Sequence, residues 1–502
     1  MRPESRPARS PEHALAEVAG FLRADPVSGS NPVVHGLSLA TQRVRPGDLF
    51  LALPGTRAHG IDFADEAVSR GAVAVLTDPE GAVRFSDAPL LVVETPRAQL
   101  ADLSAWFYDY PATSFTTVGI TGTQGKTTTT YLAEAALGSR RAGVIGTIGT
   151  RIGRQTVVSA LTTPEAPDLQ ALFAVMRESE VEACVMEVSS HALVLGRVDG
   201  VVFDTAVFLN LGRDHLDFHH TMEEYFLAKA ALFTPERARQ AVINVDDEHG
   251  RALVDLVGDR LPVATFSTSG RAAAWRAVNV RPGRSGTDLE VLTPQDGSLP
   301  LSVPLPGAFN VSNALAALVA LASCGFDAGE LASGIAESTG VPGRMERIDV
   351  GQEFTAVVDY AHKPDAVTAV LSALRPVTAG RLIVVVGAGG DRDQGKRPLI
   401  GAAAAQLADL VIVTDDNPRT EHPASIRAEV LSGAAAGPGA AIEVADRAEA
   451  ISHAVALAHR GDTVVVAGKG HESGQEIAGV LHPFDDREVL SAAISERLGR
   501  AS

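Results

Sequence analysis

From Thr116 onward the chain repeats one pattern of apolar and polar positions: a short apolar run, then a longer stretch with helical spacing. The runs TTVGIT (116–121), AGVIGT (142–147), ACVMEV (183–188), TAVFLN (205–210) and QAVINVD (240–246) are each the length of a strand. They are near-continuously apolar rather than alternating, as in strands covered on both faces. Strands that alternate with helices predict a mostly parallel sheet. A polar, turn-rich stretch from 271 to 306 reads as a β excursion, and the helix NVSNALAALVALASC (310–324) follows it. The pattern returns after Arg344 with FTAVVDY (354–360), RLIVVVGAGG (381–390), DLVIVTDD (409–416) and DTVVVAGKG (462–470). Before Pro111 the strands are shorter, in RPGDLFLALPG, GAVAVLTD and APLLVVET, and end in an apolar helix near LADLSAWFYDYP. The expectation is an α/β protein of three domains, at residues 1–111, 112–343 and 344–502, since 502 residues exceed one core.

Composition narrows the class. With 45% hydrophobic and 21% charged residues the chain reads as soluble and globular. A net charge of −18 argues against a nucleic-acid partner. Two distant cysteines, Cys184 and Cys324, suggest a reducing compartment without a disulfide framework. The N-terminal arginines precede no apolar run, and no stretch approaches the ~18 apolar residues of a membrane span, so a cytoplasmic location is expected.

Polar motifs sit where the apolar runs end. In GITGTQGKTTTTYL, Gly122 and Gly125 let backbone N–H groups approach phosphates, and the opening of a helix adds favourable potential for an anion. Lys126 would reach the β- and γ-phosphates, and the Thr127 hydroxyl would bind Mg²⁺. The strict phosphate-loop pattern wants glycine where Ile120 stands, so the mechanics match but the formal pattern does not. Glu187, ending ACVME, could hold Mg²⁺ beside this loop or simply cap a helix. His215 in NLGRDHLDFH is a candidate metal ligand, against the plainer reading of a capping or packed histidine. Lys229 in YFLAKAALF is either a snorkelling lysine or a buried one whose amine adds CO₂ and becomes a carbamate, an anion able to bind a second Mg²⁺. Asn310 and Asn313 begin a helix, as caps or as contacts to a nucleotide base. Arg344, Asp359 and His362 lie at the start of the third region, where an acid and an arginine suit a ribose and a phosphate. Four strands of that region end in polar loops that should open on one sheet edge, as a binding cleft does.

Taken in order, GTQGKTTT, TTPEAP, MEVSSHAL, NLGRDHLDFH, YFLAKAALF, PGRMERI, DYAHKPDA, GGDRDQGKRP, DNPR and GKGHE resemble the Mur ligase family over nearly the whole chain. The resemblance implies an N-terminal α/β domain for a uridine nucleotide, a central phosphate-loop ATPase domain and a C-terminal Rossmann-like domain. It implies amide ligation of meso-2,6-diaminopimelate to UDP-N-acetylmuramoyl-L-alanyl-D-glutamate through an acyl phosphate, with ATP as co-substrate and two Mg²⁺ ions. By position, Gly122, Thr123, Gln124, Gly125, Lys126, Thr127, Thr128, Asn313, Arg344 and Asp359 would bind ATP. Leu39, Thr41, Thr162, Thr163, Ser189 and Arg197 would meet the UDP-linked dipeptide. Lys229 would be the carbamylated lysine, with Glu187, Thr127 and His215 around the metal. Arg392, Asp416, Asn417, Arg419, Gly468 and Glu472 would form the diaminopimelate pocket. There Arg419 would read the distal carboxylate, and Asp416 and Asn417 would hold the distal amine; the plainer reading pairs Arg419 with Glu421. Two departures stand out: Ala40-Thr41-Gln42 replaces an Asp-Ser-Arg triplet, and Leu195 replaces a glutamine of some relatives. The alternatives are a relative that adds L-lysine or another diamino acid, a folate polyglutamate ligase, a Mur-like relative with a changed acceptor, and a non-ligating phosphate-loop switch. A monomer acting on small molecules is expected.

Overall fold

Four short strands, β1 (Gly36–Ser38), β2 (Asp48–Leu51), β3 (Ala74–Thr77) and β4 (Leu90–Val92), pair in parallel and in sequence order near the N-terminus. Helix α1 (Pro96–Phe107) packs with them through Leu100, Leu103 and Phe107. The computed structural model describes residues 5–25, 30–56, 58–138, 141–153, 155–157, 161–283 and 286–501. Two compact units divide them. The first takes the chain to Ala277 together with Val291–Leu299 and Asn313–Gly334; the second takes Val278–Glu290, Pro300–Ser312 and the chain from Ile335 onward.

The central strands form as their apolar runs demand. They are β5 (Thr116–Thr121), β6 (Ala142–Gly146), β7 (Gly149–Ile152), β8 (Gln155–Val157), β9 (Ala183–Glu187), β10 (Thr205–Phe208), β11 (Ala241–Asn244), β12 (Val263–Ser267) and β13 (Trp275–Pro282). Their order is β8-β7-β6-β9-β5-β10-β11-β12-β13; β7 and β8 are the antiparallel exceptions in a parallel sheet. Helices α2 (Lys126–Leu137), α3 (Ala166–Glu178) and α4 (Met222–Ala230) connect these strands. Ala166, Ala171 and Ala174 of α3 join the N-terminal core, and Arg43–Asp168 and Arg97–Glu165 bridge its rim at 2.6 Å. The expected β excursion consists of β13, β14 (Thr287–Leu292) and β15 (Ser298–Val303), followed by α5 (Ala308–Ser323).

The second unit holds another doubly covered sheet. Its strands are β16 (Glu346–Arg347), β17 (Thr355–Asp359), β18 (Leu382–Val386), β19 (Leu410–Val413), β20 (Ala440–Glu443) and β21 (Thr463–Ala467). The order is β16-β17-β21-β18-β19-β20, parallel except at β16. In β18, Leu382, Val384 and Val386 enter one core while Ile383 and Val385 enter the other, which is why the run shows no polar alternation. Because β17, β21, β18 and β19 run in parallel, their C-terminal loops open on one edge, as expected. A hairpin, β22 (Gly474–Ile477) and β23 (Val480–Pro483), lies beyond them and leads into α6 (Asp486–Ala501).

One buried ion pair anchors that edge. Arg447 and Asp486 are both inaccessible and bond twice at 2.7 Å; Arg447 also donates to the carbonyls of Ala467 and Asp415. Removing one member strands the other charge in the core, so Asp486→Ala should lower stability by about 3–5 kcal/mol, read from urea unfolding of the second unit. No helix among the described residues is long and apolar enough to cross a membrane.

Candidate active site

The first unit's site begins where β5 meets α2. Gly125 takes φ +87°, a left-handed conformation that favours glycine, and a Cβ there would collide with Asn313 Oδ1. Asn313 therefore lies beside the loop rather than acting as a cap. Asn210 Oδ1 accepts from the Thr123 and Gln124 N–H groups at 3.2 and 3.0 Å, which holds the loop's shape from the neighbouring strand end. Lys126 folds back and donates to Gly122 O at 2.8 Å, while Thr128 is buried at the start of α2. Backbone N–H groups at the opening of a helix could cradle an anion here, and the lysine rests on backbone carbonyls.

A second group of side chains gathers on Glu187, which is 1% exposed at the end of β9. Thr127 Oγ1 donates to Glu187 Oε1 at 2.9 Å, and the Thr147 N–H donates to the same oxygen at 2.8 Å. Thr147 Oγ1 also meets Thr162 Oγ1 at 3.1 Å. Thr163 Oγ1 donates to Glu187 O at 2.8 Å and accepts from Ser189 N at 3.1 Å. Arg197 bonds Glu165 at 2.8 Å and the Thr163 carbonyl at 3.3 Å. The structure thus gathers Thr127, Glu187, Thr162, Thr163, Ser189 and Arg197 into one network. Leu39 and Thr41 belong to the N-terminal layer, where Leu39 packs half-buried and Thr41 is 4% exposed.

Lys229 is 1% exposed, so the snorkelling reading is wrong: α4 turns it inward onto the loop. Its Nζ donates to Gly122 O at 3.0 Å, the carbonyl that Lys126 also uses, and sits 4.5 Å from the Tyr225 ring centre. His215, at φ +51°, places its ring 6.0 Å from Tyr225 and 3.3 Å from Asp214. Among the described residues no three His, Cys, Asp or Glu side chains could hold a metal by themselves. A hard cation here would rest on the Glu187 carboxylate, the Thr127 hydroxyl and a nucleotide's own oxygens, the mixed oxygen set that Mg²⁺ accepts.

In the second unit, both Asp359 oxygens accept backbone N–H groups, from Met345 at 2.7 Å and Ala361 at 2.8 Å. Burial pushes the Asp359 carboxyl up, and Arg344 pulls it back. The Arg344 guanidinium lies 4.5 Å over the Tyr360 ring, and its buried Nε has no hydrogen-bond partner among the described residues. His362 Nδ1 meets the Tyr360 carbonyl at 2.8 Å and so carries the ring proton. Burial, then Lys363, pushes His362 down to about 4; burial, then Arg344, does the same to His471. At neutral pH His362 is therefore a poor proton acceptor, which argues against a general base there. Between the ordinary value of 6.5 and about 4, the unfolded chain binds protons that these native rings refuse. Stability of the second unit should accordingly fall as pH drops through that window, and His362→Gln should flatten the fall in urea midpoints measured across it.

The turn after β19 is held from two sides. The Asn417 carbonyl accepts from Gly390 N at 2.9 Å, and Arg419 Nη1 donates to Gly390 O at 2.6 Å. From the hairpin, Gln475 Nε2 donates to Asp416 O at 2.7 Å, and Glu476 O accepts from Arg419 N at 3.0 Å. Arg419 sits at φ +53°, a conformation a non-glycine residue keeps only when its surroundings impose it. Its Nε is 3.4 Å from Glu476 Oε2, whereas Glu421 bonds the fully buried Arg397 at 2.7 Å; the pairing of Arg419 with Glu421 does not occur. Asp416 is 8% exposed, its Oδ2 has no hydrogen-bond partner among the described residues, and Gly468 approaches it so closely that a Cβ there would collide with it at 2.5 Å. Asn417 Nδ2 donates to Glu472 Oε2 at 3.0 Å. Arg392 is exposed on the Gly389–Gly390 loop beside this turn. Sequence reasoning missed Thr147, Tyr225, Arg397 and Glu476; Lys469, a lysine between two glycines at a strand end, was legible in the GKGHE loop but received no individual role.

Family models match three segments: the Mur ligase family, catalytic domain, at residues 33–108; the Mur ligase middle domain at 120–321; and the Mur ligase, glutamate ligase domain, at 343–470. A relative from Streptomyces avermitilis, named UDP-N-acetylmuramoyl-L-alanyl-D-glutamate–2,6-diaminopimelate ligase, is 53% identical over 98% of this chain and 99% of its own. A relative of the same name from Corynebacterium glutamicum is 51% identical over 90% of this chain and 89% of its own. A solved structure of a ligase of that name superimposes with a TM-score of 0.67 at 34% identity, covering 97% of this chain and 99% of that one.

Proposed function

The chain belongs to the Mur ligase family, and from that premise we propose that it joins meso-2,6-diaminopimelate to UDP-N-acetylmuramoyl-L-alanyl-D-glutamate with hydrolysis of ATP to ADP. One observation carries the choice of amino acid. The turn after β19 holds the Arg419 guanidinium and, three residues before it, a buried Asp416 oxygen without a hydrogen-bond partner among the described residues. A substrate whose far carbon bears both a carboxylate and an ammonium satisfies such a pair, and lysine lacks that carboxylate.

The side-chain carboxylate of the D-glutamyl residue attacks the γ-phosphorus, and the bond to the ADP oxygen breaks. The amine then attacks the acyl carbon, phosphate leaves with the bonding pair, and the amine loses its proton. No protein nucleophile is needed. The residues act by position and charge: the loop's N–H groups cradle phosphate, and Lys126 moves from Gly122 O to the transferring oxygens. Asn313 meets the nucleotide beside the loop; for Arg344 and Asp359 of the second unit a nucleotide contact is what the family resemblance implies. Thr162, Thr163, Ser189 and Arg197 orient the dipeptide, and Leu39 and Thr41 meet the uridine end; the altered Ala40-Thr41-Gln42 segment changes how that end is held. Two Mg²⁺ ions, at Thr127 and Glu187 and near His215 and Lys229, would neutralise charge between carboxylate and phosphate. The reaction belongs to the cytoplasm and to a monomer.

The Lys229 carbamate has its own support. As ammonium groups, Lys126 and Lys229 would crowd like charges on the one Gly122 carbonyl; carbamylation of Lys229 replaces that repulsion with attraction. Turnover should fall in CO₂-depleted buffer and recover with bicarbonate, and Lys229→Ala should be inactive in both.

The test of the whole reading is phosphate release with UDP-N-acetylmuramoyl-L-alanyl-D-glutamate, ATP and Mg²⁺, comparing meso-diaminopimelate with L-lysine. Turnover that needs both the acceptor and diaminopimelate is expected. Equal use of lysine would overturn the amino-acid assignment, and ATP hydrolysis with neither substrate would indicate a switch protein.

A further inference from the structure

Residues 5–9 form an arm on the N-terminal layer, and its fixed point is Arg6. Arg6 Nη1 and Nη2 donate to the two carboxylate oxygens of Asp48 at 2.6 and 2.8 Å, and Nη2 also donates to the Leu37 carbonyl at 3.1 Å. Asp48, at the head of β2, is 1% exposed, so a planar fork satisfies a buried charge at both oxygens. Asp48 Oδ2 also accepts the Arg45 N–H at 2.8 Å. Gly36 makes the approach possible, since a Cβ there would collide with Asp48 Oδ1 and Arg6 Nη1. Past the buried Pro7 the arm is tied again: the N–H groups of Ala8 and Arg9 donate to the Glu178 carboxylate of α3 at 2.8 and 3.0 Å.

These bonds bracket one segment. Leu37 precedes and Arg45 follows residues 38–44, which carry Leu39 and Thr41. The segment is a short turn closed on itself, with Arg43 N donating to Ala40 O at 3.0 Å. Its one charged side chain, Arg43, is paired outward with Asp168 of α3 at 2.6 Å. A turn bonded to itself takes its placement on the sheet from its two ends, and the Arg6–Asp48 pair holds both. We infer that Arg6 is a positioning residue for the uridine end of the acceptor: through Leu37 and Asp48 it sets where Leu39 and Thr41 stand. This rests on the function proposed above. Arg6 supplies from the arm a fixed charge that Ala40-Thr41-Gln42 does not carry.

Arg6→Lys keeps the charge but loses the fork. In the phosphate-release assay with the full chain it should raise the KM for UDP-N-acetylmuramoyl-L-alanyl-D-glutamate about 10-fold, and Arg6→Met roughly 10–100-fold. The Ki of UDP as a competitor should rise in step, because the effect lies at the uridine end. The KM values for ATP and meso-diaminopimelate should stay in place, a split that general loss of structure would not give. Glu178→Ala, at an exposed position, frees the arm's second tie and should raise the acceptor KM about 3-fold. Arg6→Met leaves Asp48 as an unpaired buried charge, so Arg6→Lys and Glu178→Ala decide the matter if it does not fold. An unchanged acceptor KM in both of these variants overturns the inference and leaves the proposed function standing, and so do equal rises in all three KM values. A wild-type enzyme that does not use the UDP-linked acceptor overturns both.

Discussion

Lys126→Ala should lower ATP-dependent ligation by about 10³-fold, with the chain still folded. The amine of the lysine rests on the carbonyls of Gly122 and Thr123 at 2.8 and 3.3 Å. Those bonds are the resting position of a cation that phosphate displaces. When the glutamyl carboxylate approaches the γ-phosphate, two anions meet, and a fixed positive charge counts most as charge spreads over the transferring oxygens. The loss should therefore appear mainly in kcat, with ADP affinity reduced far less because the backbone N–H cradle remains. Measuring kcat by phosphate release and ADP binding by calorimetry on one preparation checks this. Equal losses in both would mean that Lys126 acts only in binding.

Arg419→Ala should raise the KM for meso-diaminopimelate by roughly 10²–10³-fold and abolish its advantage over lysine. Both halves follow from one guanidinium. With diaminopimelate it gives a planar fork to the distal carboxylate; with lysine it stays without that partner, a mismatch that discriminates against the shorter set of contacts. Glu476, 3.4 Å from Arg419 Nε, stands in as counter-ion in the free pocket, so the substrate gains the difference between two pairings rather than a full one. A competition assay with both amino acids, read by the mass of the product, measures the preference directly. Retained preference in the variant would move specificity to another residue of the pocket.

Much of this protein follows from local pattern. The near-continuous apolar runs of β5, β9, β18 and β21 could only be strands covered on both faces, and their alternation with helices required parallel sheets. Parallel strands put their ends on one edge, so the polar loops after β17, β18, β19 and β21 had to share that edge. The glycines around Gln124 and the lysine after them marked a candidate anion site for a reason of backbone access that any reader of the residues can supply.

The partners of those residues were not legible, because hydrogen bonds between distant segments depend on strand order and register, which an apolar pattern does not encode. Thr127 meets Glu187, 60 positions away, only because β9 lies beside β5. Lys229 reaches Gly122, 107 positions back, because α4 turns that side chain inward; on pattern alone a lysine in an apolar helix reads as snorkelling. Arg419 left the pairing its own turn offered, because Arg397 already holds Glu421. Lys469 meets the Asn417 amide oxygen from 52 positions away, and an amide's orientation has no signature in sequence at all. Sequence determined which groups stand at the strand ends; the tertiary structure decided which way each one points, since direction is set by packing and by the donors and acceptors that arrive from elsewhere in the chain.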